Sequence, residues 1–396
     1  MGLIKNVKIK GISIPFKEKV EATWSQRNGT TIFLVELTTD QGVVGYGEMV
    51  NFFPNEHCLS TLKRMVGEVQ GKDVAHTNVI GHRVLYGSGW MRTGHMNDLG
   101  AAAWAAFEMA MLDAQAKEAE GNLADLFGGR LTHRVPVVVN LPVSDFEKMA
   151  KDADRFVQKG HKNLFVKVAK HNTSVNEDIQ MLEEIRAKVG DEIPFHLDVN
   201  GAWKISTALM ALRKFDEKNI NISCLEQPVM EASGLSSLRE RTLIPIGVNE
   251  LLHSPQSVVE CALNGIGDVF ILDMYEVGGL RALWYISQFL ADANISVVCR
   301  AHGGSSLGYI AALQVLSTCN GAPGPHQFYD NDEENDLVQW DPQLENGSIV
   351  LPNNSGIGVT PDPEALKEYE DRYKTGEIYT IYANKSNDVI PIFPKY

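Results

Sequence analysis

The sequence predicts an α/β protein: a barrel of alternating strands and helices, covered by a smaller α+β unit. Three observations carry this prediction. Eight short β-rich runs recur along the middle of the chain, about one βα unit of roughly 30 residues apart. The first third instead reads as alternating strands followed by an Ala-rich helix. Where the apolar runs of the middle section stop, a polar or charged residue comes next.

Taken in order, "VKIKGISIPF" and "TTIFLVELTTDQGVVGYGE" alternate in polarity and hold a "TDQG" turn, as antiparallel strands do. After about residue 56 the pattern becomes helical. "AAAWAAFEMAMLDAQAKEAEG" is a helix with Gly121 as its stop, and "LFGGR" closes the segment. The eight runs are "VPVVVN", "NLFVKVA", "IPFHLDVN", "ISCLEQP", "IPIGVNE", "DVFILDM", "ISVVCRAH" and "PHQFYD". Amphipathic stretches such as "VNEDIQMLEEIRAKVG" lie between them, so a closed (β/α)8-type barrel is expected. An open doubly wound sheet usually has a Gly-rich phosphate turn after its first strand, and "VPVVVNLPVSD" has none. After Asp341, "GSIVLPNNSGIGVTPDPEALKEY" reads as a strand, a turn and a short helix. The expected division is a cap over residues 1–132, a barrel over 133–345 and a tail over 346–396 that returns to the cap.

The formal net charge of -14 argues against nucleic acid or an anionic membrane as partner. An anionic substrate would then need a local cation or metal to reverse the sign inside its site. Five cysteines stand far apart with no CxxC pair, which points to reduced thiols in a cytoplasmic protein. "MGLIKNVKIK" lacks the form of a signal peptide, and no apolar run is long enough to cross a bilayer.

In a barrel of this kind, catalytic side chains sit at the C-terminal ends of the strands. Those ends offer Lys167, then Asp198 and Asn200, Glu226, Asn249 and Glu250, Asp273, and His302. A single acid in such a place ordinarily caps the next helix or meets an Arg. Three on consecutive strands would repel one another unless a cation lay between them. Asp198, Glu226 and Glu250 are the natural trio, and an all-oxygen set suits Mg2+ best, with Mn2+ possible.

These stretches resemble the enolase superfamily, in its mandelate racemase subgroup. "AAAWAAFEMAMLDAQAKEAEGNLADLFGG" is similar to that family's cap helix and closing glycines. "LDVNGAW", "LEQP" and "NE" resemble its three metal-ligand stretches. "DMYEVGGL" and "CRAHGGSSLG" resemble its Asp and His strand ends, and "GSIVLPNNSGIGV" its C-terminal return. The resemblance covers nearly the whole chain. It implies a modified TIM barrel of (β/α)7β type, whose α+β capping domain is formed by the N-terminal region and the C-terminal tail.

It also implies a mechanism. A substrate carboxylate would bind Mg2+ and Lys167, which acidifies the neighbouring C–H. His302 is the base, and Asp273 on the adjacent strand raises its basicity. Relatives often carry Lys-x-Lys on the second strand, but "FVKVAKH" has Ala169 in the second place, and Lys170 has the wrong strand parity. A two-base racemase is therefore disfavoured. Glu250 is the expected third ligand, with Asn249 as the alternative. Gln327 stands where relatives often carry Glu, and is a substrate-contact candidate.

Strand parity aims His196 toward the mouth. With Lys167, Asn200 and Arg300 it gives a polar site, which suits a sugar acid. The leading expectation is a Mg2+-dependent acid-sugar dehydratase, a hydro-lyase. A racemase, epimerase or cycloisomerase on the same scaffold is the alternative, and a non-catalytic binding barrel is a third reading. The partner is a small-molecule carboxylate, the chain is expected to be a homo-oligomer, and Trp24, Arg27 and Phe52 are candidate specificity residues.

Overall fold

The computed structural model describes residues 1–21, 26–51, 53–86, 98–170, 173–300, 303–321, 324–330 and 336–379, without the side chains of 17–21, 26, 27, 86 and 98. Three strands, β1 (Ile4–Glu21), β2 (Gln26–Thr39) and β3 (Val44–Val50), form an antiparallel sheet in that order. Helices α1 (Asn55–Val69), α2 (Thr77–Tyr86) and α3 (Asp98–Glu118) come next. The Ala-rich helix α3 is buried on every side, which explains why it has no polar face. Small residues on both partners let it lie directly on β3. A Cβ at Gly47 would clash with the Ala106 carbonyl and stand 2.8 Å from the Ala110 nitrogen, and one at Gly45 would meet Ala114 at 2.9 Å.

The barrel begins with β4 (Arg134–Asn140), α4 (Phe146–Lys159), β5 (Leu164–Lys167) and α5 (Val175–Val189). It continues through β6 (Phe195–Asp198), α6 (Ile205–Glu217), β7 (Ile222–Glu226) and α7 (Ala232–Arg239). Next come β8 (Ile246–Val248), α8 (Pro255–Leu263), β9 (Val269–Leu272), a one-turn helix α9 (Met274–Val277) and α10 (Leu280–Asp292). The last unit is β10 (Ser296–Cys299), α11 (Ser306–Leu316) and β11 (His326–Phe328). The predicted runs all form strands, buried on both faces because helices cover the outside and packed side chains fill the inside. Local signals set the helix starts: Ser174 with Glu177 makes a capping box for α5, and Ser254 with Ser257 makes one for α8.

The strands pair in parallel in chain order from β4 to β10, and β11 lies on the free side of β4. Between β10 and β11 the join is a side chain: the Cys299 amide donates to His326 Nδ1 at 2.9 Å. Seven strand–helix units and a final strand make the expected (β/α)7β form. In the tail, β12 (Leu344–Glu345) and β13 (Ser348–Val350) form a hairpin, and β13 runs antiparallel along the start of β4. Helix α12 (Pro363–Lys374) returns to the cap, where Tyr373 packs edge-on to Phe33 and donates to Asn55 Oδ1 at 3.0 Å. Gly11 on β1 leaves the room that the Tyr373 ring fills.

Candidate active site

Strand register assembles the site. Lys167 ends β5 opposite Asp198, and Asp198 ends β6 opposite Glu226 on β7. Lys167 Nζ donates to Asp198 Oδ2 and, at 2.9 Å, to Asn200 Oδ1. Asn200 donates on to Glu250 Oε1 at 3.0 Å, and its own backbone amide is held by Asp198 Oδ1 at 2.8 Å. Asn200 adopts φ 49, at the turn that "NGAW" predicted. Lys167, Asp198, Asn200 and Glu250 thus form one continuous polar chain across the mouth, with Glu226 beside Asp198.

The charges are unbalanced. Asp198, Glu226 and Asp273 are 1–2 % exposed. Burial, then Asp198, raises the Glu226 carboxyl above its usual range. The same two causes push Glu250 up to about 7. Burial works against the charge on Lys167, but Asp198 and Glu226 outweigh it, so the ammonium is held above its ordinary value. Glu226 Oε1 and Glu250 Oε2 are buried and have no hydrogen-bond partner among the described residues. Two orphaned carboxylate oxygens under mutual repulsion are what a cation would satisfy. Among the described residues no three His, Cys, Asp or Glu groups stand as a finished metal cage, because Lys167 and Asn200 now take up Asp198. The all-oxygen donor set and the orphaned atoms fit Mg2+.

Some candidate residues sit differently from expectation. His196 is 2 % exposed and lies beneath the mouth, its Nε2 2.7 Å from Glu226 Oε2 and its ring against Phe165. It supports Glu226 from behind; strand parity found the inward face but could not give the depth. Gln327 reaches the same Glu226 oxygen at 3.4 Å. Arg300 bonds Asn249 Oδ1 at 2.8 Å and Glu276 Oε1 at 2.6 Å, and stands 3.6 Å from Asp273. Asn249 is also spent on the Ile271 carbonyl at 3.0 Å, which leaves Glu250 as the residue with an oxygen to spare. Asp273 Oδ1 accepts from the Tyr275 amide at 2.8 Å. Strand β5 stops at Lys167, and Ala169 is buried with φ 56. Lys170 turns toward the Ser144 carbonyl, 3.3 Å away. His302, Trp24, Phe52 and the side chain of Arg27 lie outside the described residues.

One residue of the site went unnoticed in the sequence. Gln227 accepts at Oε1 from both the Asn249 and Glu250 amides, at 2.9 and 3.2 Å, and donates to the Val229 carbonyl at 3.0 Å. It therefore sets where Glu250 points. Its only signal was its place beside Glu226 in "LEQP". A cavity of about 650 Å³ adjoins the site between cap and barrel, lined by Asp273, Arg300 and Tyr329 on the barrel and by Ile14, Thr30 and Glu48 on the cap.

Residues 11–128 match the family described as mandelate racemase / muconate lactonizing enzyme, N-terminal domain, and residues 148–365 match the enolase C-terminal domain-like family. The chain is an enzyme of the enolase superfamily. Among its relatives in that superfamily, an N-succinyl-L-Arg/Lys racemase of Bacillus cereus is 27% identical, over 92% of this chain and 97% of that protein. Muconate cycloisomerase 1 of Acinetobacter baylyi is 24% identical, over 92% and 99%. The muconate lactonizing enzyme of Pseudomonas fluorescens, solved with muconolactone, superposes with a TM-score of 0.83 at 22% identity, over 93% and 99%. An Enterococcus faecalis dipeptide epimerase, solved with Mg and a dipeptide, gives 0.79 at 24%, over 91% and 100%. A Pseudomonas fluorescens enolase with magnesium, potassium and tartrate gives 0.82 at 17%, over 95% and 94%. The named relatives are a racemase and a cycloisomerase, so they favour the isomerase alternative over the dehydratase that the sequence put first.

Proposed function

We propose that this enzyme is a Mg2+-dependent isomerase of small carboxylates, working by one-sided proton transfer at the carbon next to the carboxylate, as in cycloisomerisation. The observation that carries the reading is the buried row of Lys167, Asp198, Glu226 and Glu250 with two orphaned carboxylate oxygens. Asp198, Glu226 and Glu250 would hold the ion. When bound, Mg2+ supplies positive charge that offsets the charge gathering on the substrate carboxylate. Lys167 would pair with that carboxylate from the other side, releasing part of its hold on Asp198. His302, which follows β10 in the sequence, is the proposed base, with Asp273 as its proposed partner.

Ala169 supports one-sided chemistry. Two residues past Lys167, Ala169 offers no ammonium, so removal and return of the proton both fall to His302. Epimerisation needs a proton partner on each face and fits this wall less well. In cycloisomerisation, the base takes the α-proton while the β C–O bond to a ring carboxylate oxygen breaks; the reverse step closes the lactone. Dehydration uses the same α-proton and differs only in the leaving group, a hydroxide that departs with a proton as water. The polar edge of Asp273, Glu276 and Arg300 favours this as the second reading, with a sugar acid as substrate.

The test is a panel of lactones, N-acyl amino acids and sugar acids in D2O with Mg2+, followed by NMR. Deuterium at the α-carbon with an isomeric product supports the proposal. A 2-keto-3-deoxy product selects dehydration, and no exchange in any compound means a barrel that binds without turnover.

A further inference from the structure

Glu48 sits at the end of the cap sheet, on β3, and is 0 % exposed. It is not aimed at the polar row; it spans the joint between cap and barrel. Its Oε1 accepts from Tyr275 Oη at 2.8 Å and from the Ser305 amide at 3.0 Å, and its Oε2 accepts from the Ser305 hydroxyl. Tyr275 is anchored through its amide to Asp273. Ser305 is the N-cap of α11, its Oγ accepting from the Leu307 amide at 3.2 Å. Beside it, Thr30 on β2 donates to the Gly303 carbonyl at 2.5 Å. One cap carboxylate therefore grips the segments after β9 and β10 together.

The barrel side is cut to receive it. A Cβ at Gly304 would clash with Glu48 Oε1, and one at Gly308 would lie 2.5 Å from that oxygen and clash with Tyr275 Oη. Both positions need glycine for the carboxylate and the phenol to meet. We propose that Glu48 is a positioning residue: from the cap, it holds the two strand ends that carry Asp273 and Gly303–Ser305 in register for the reaction. That these strand ends are catalytic rests on the function proposed above; that Glu48 holds them does not.

Burial pushes the Glu48 carboxyl up to about 7, against the hydrogen bonds from Ser305 and Tyr275, with Asp336 adding to the rise. Around it stand Tyr275, whose phenol burial keeps well above its ordinary value, Asp273 behind Tyr275, and Asp336, which accepts from the Ser306 amide at 3.1 Å. Ionised Glu48 accepts from all three donors. Because the carboxyl rises to about 7 in the closed joint and returns to its ordinary range when the joint opens, the closed joint binds the extra proton, and the grip weakens as pH rises through 7.

The test is hydrogen–deuterium exchange of the full chain at pH 6 and 8, corrected for intrinsic rates, in wild type and Glu48→Gln. In wild type, amides of 303–316 are expected to exchange about tenfold more slowly at pH 6 than at pH 8. In Glu48→Gln that pH difference should vanish while the β5–β7 peptides stay as protected as in wild type. An unchanged pH difference in Glu48→Gln overturns the proposal. So does loss of protection throughout cap and barrel, which would mark Glu48 as general packing. No substrate is needed, so this outcome is separate from that of the panel. On any compound the panel turns over, Glu48→Gln should lower kcat at least tenfold with KM within twofold; an equal loss through KM alone would also overturn it.

Discussion

At the residue scale, charge and burial pull the site in opposite directions. Lys167 stands among carboxylates that cannot all be ionised without a cation. Replacing His302 by Asn is expected to abolish turnover while Mg2+ binding, read by calorimetry, stays within about threefold; loss of metal binding instead would place His302 among the ligands. A second buried acid lets the electrostatics be tested apart from catalysis. Glu108 on α3 accepts from the Arg281 amide at 3.1 Å, at the start of α10, and burial pushes it up to about 7. Its unfolded value is near the ordinary carboxylate range, so between about pH 4.5 and 7 the folded state binds the extra proton. Stability from this group is present below pH 4.5 and is lost as pH rises through 7. Glu108→Gln should therefore gain stability relative to wild type as pH climbs, by about 3 kcal/mol at most, seen as a pH-dependent gap in Tm. A gap that does not change with pH would mean that Glu108 is ionised in the fold.

At the element scale, backbone approach sets the cap. Gly45 and Gly47 on β3 let α3 touch the sheet, and Gly304 and Gly308 let Glu48 and Tyr275 cross the joint. Gly47→Ala puts a methyl against the backbone of α3, which cannot rotate away. A loss of about 3 kcal/mol or more is expected in chemical denaturation; a loss below about 1 kcal/mol would mean that α3 can slide. The strands and helices themselves were legible in the sequence. The eight runs, the Ala-rich helix and its Gly121 stop, and the turn after Asp198 are all local patterns of polarity or φ preference. Depth was not legible. His196 alternates with Asp198 correctly, yet parity says inward or outward and nothing of how far below the mouth a side chain ends. The partners of Arg300 were not legible either, because Asn249, just past β8, and Glu276, on α9, come from other elements.

At the scale of the whole molecule, cap and barrel share one joint. Arg130, in the "LFGGR" link, bonds Gln314 on α11 at 2.9 Å and the Pro352 carbonyl of the tail at 2.6 Å, so link, barrel and tail meet on a single guanidinium. Mg2+ should add to this stability. At 100 times its Kd, an ion that binds only the folded chain contributes about 2.7 kcal/mol. Wild type stripped with EDTA should therefore gain Tm on Mg2+ titration, and Glu226→Gln should lose most of that gain. No rise in wild type would count against the ion.

By itself the sequence determined the order of elements, the barrel class and the row of strand-end acids, because periodicity and chain order are properties of neighbours along the chain. The tertiary structure alone decided which of those groups meet. Glu250 keeps a spare oxygen because Gln227 aims it and Arg300 occupies Asn249. His196 serves Glu226, and Glu48 reaches across from another domain to the ends of β9 and β10. These are contacts between residues tens to hundreds of positions apart, and no local pattern of polarity encodes the distance between them.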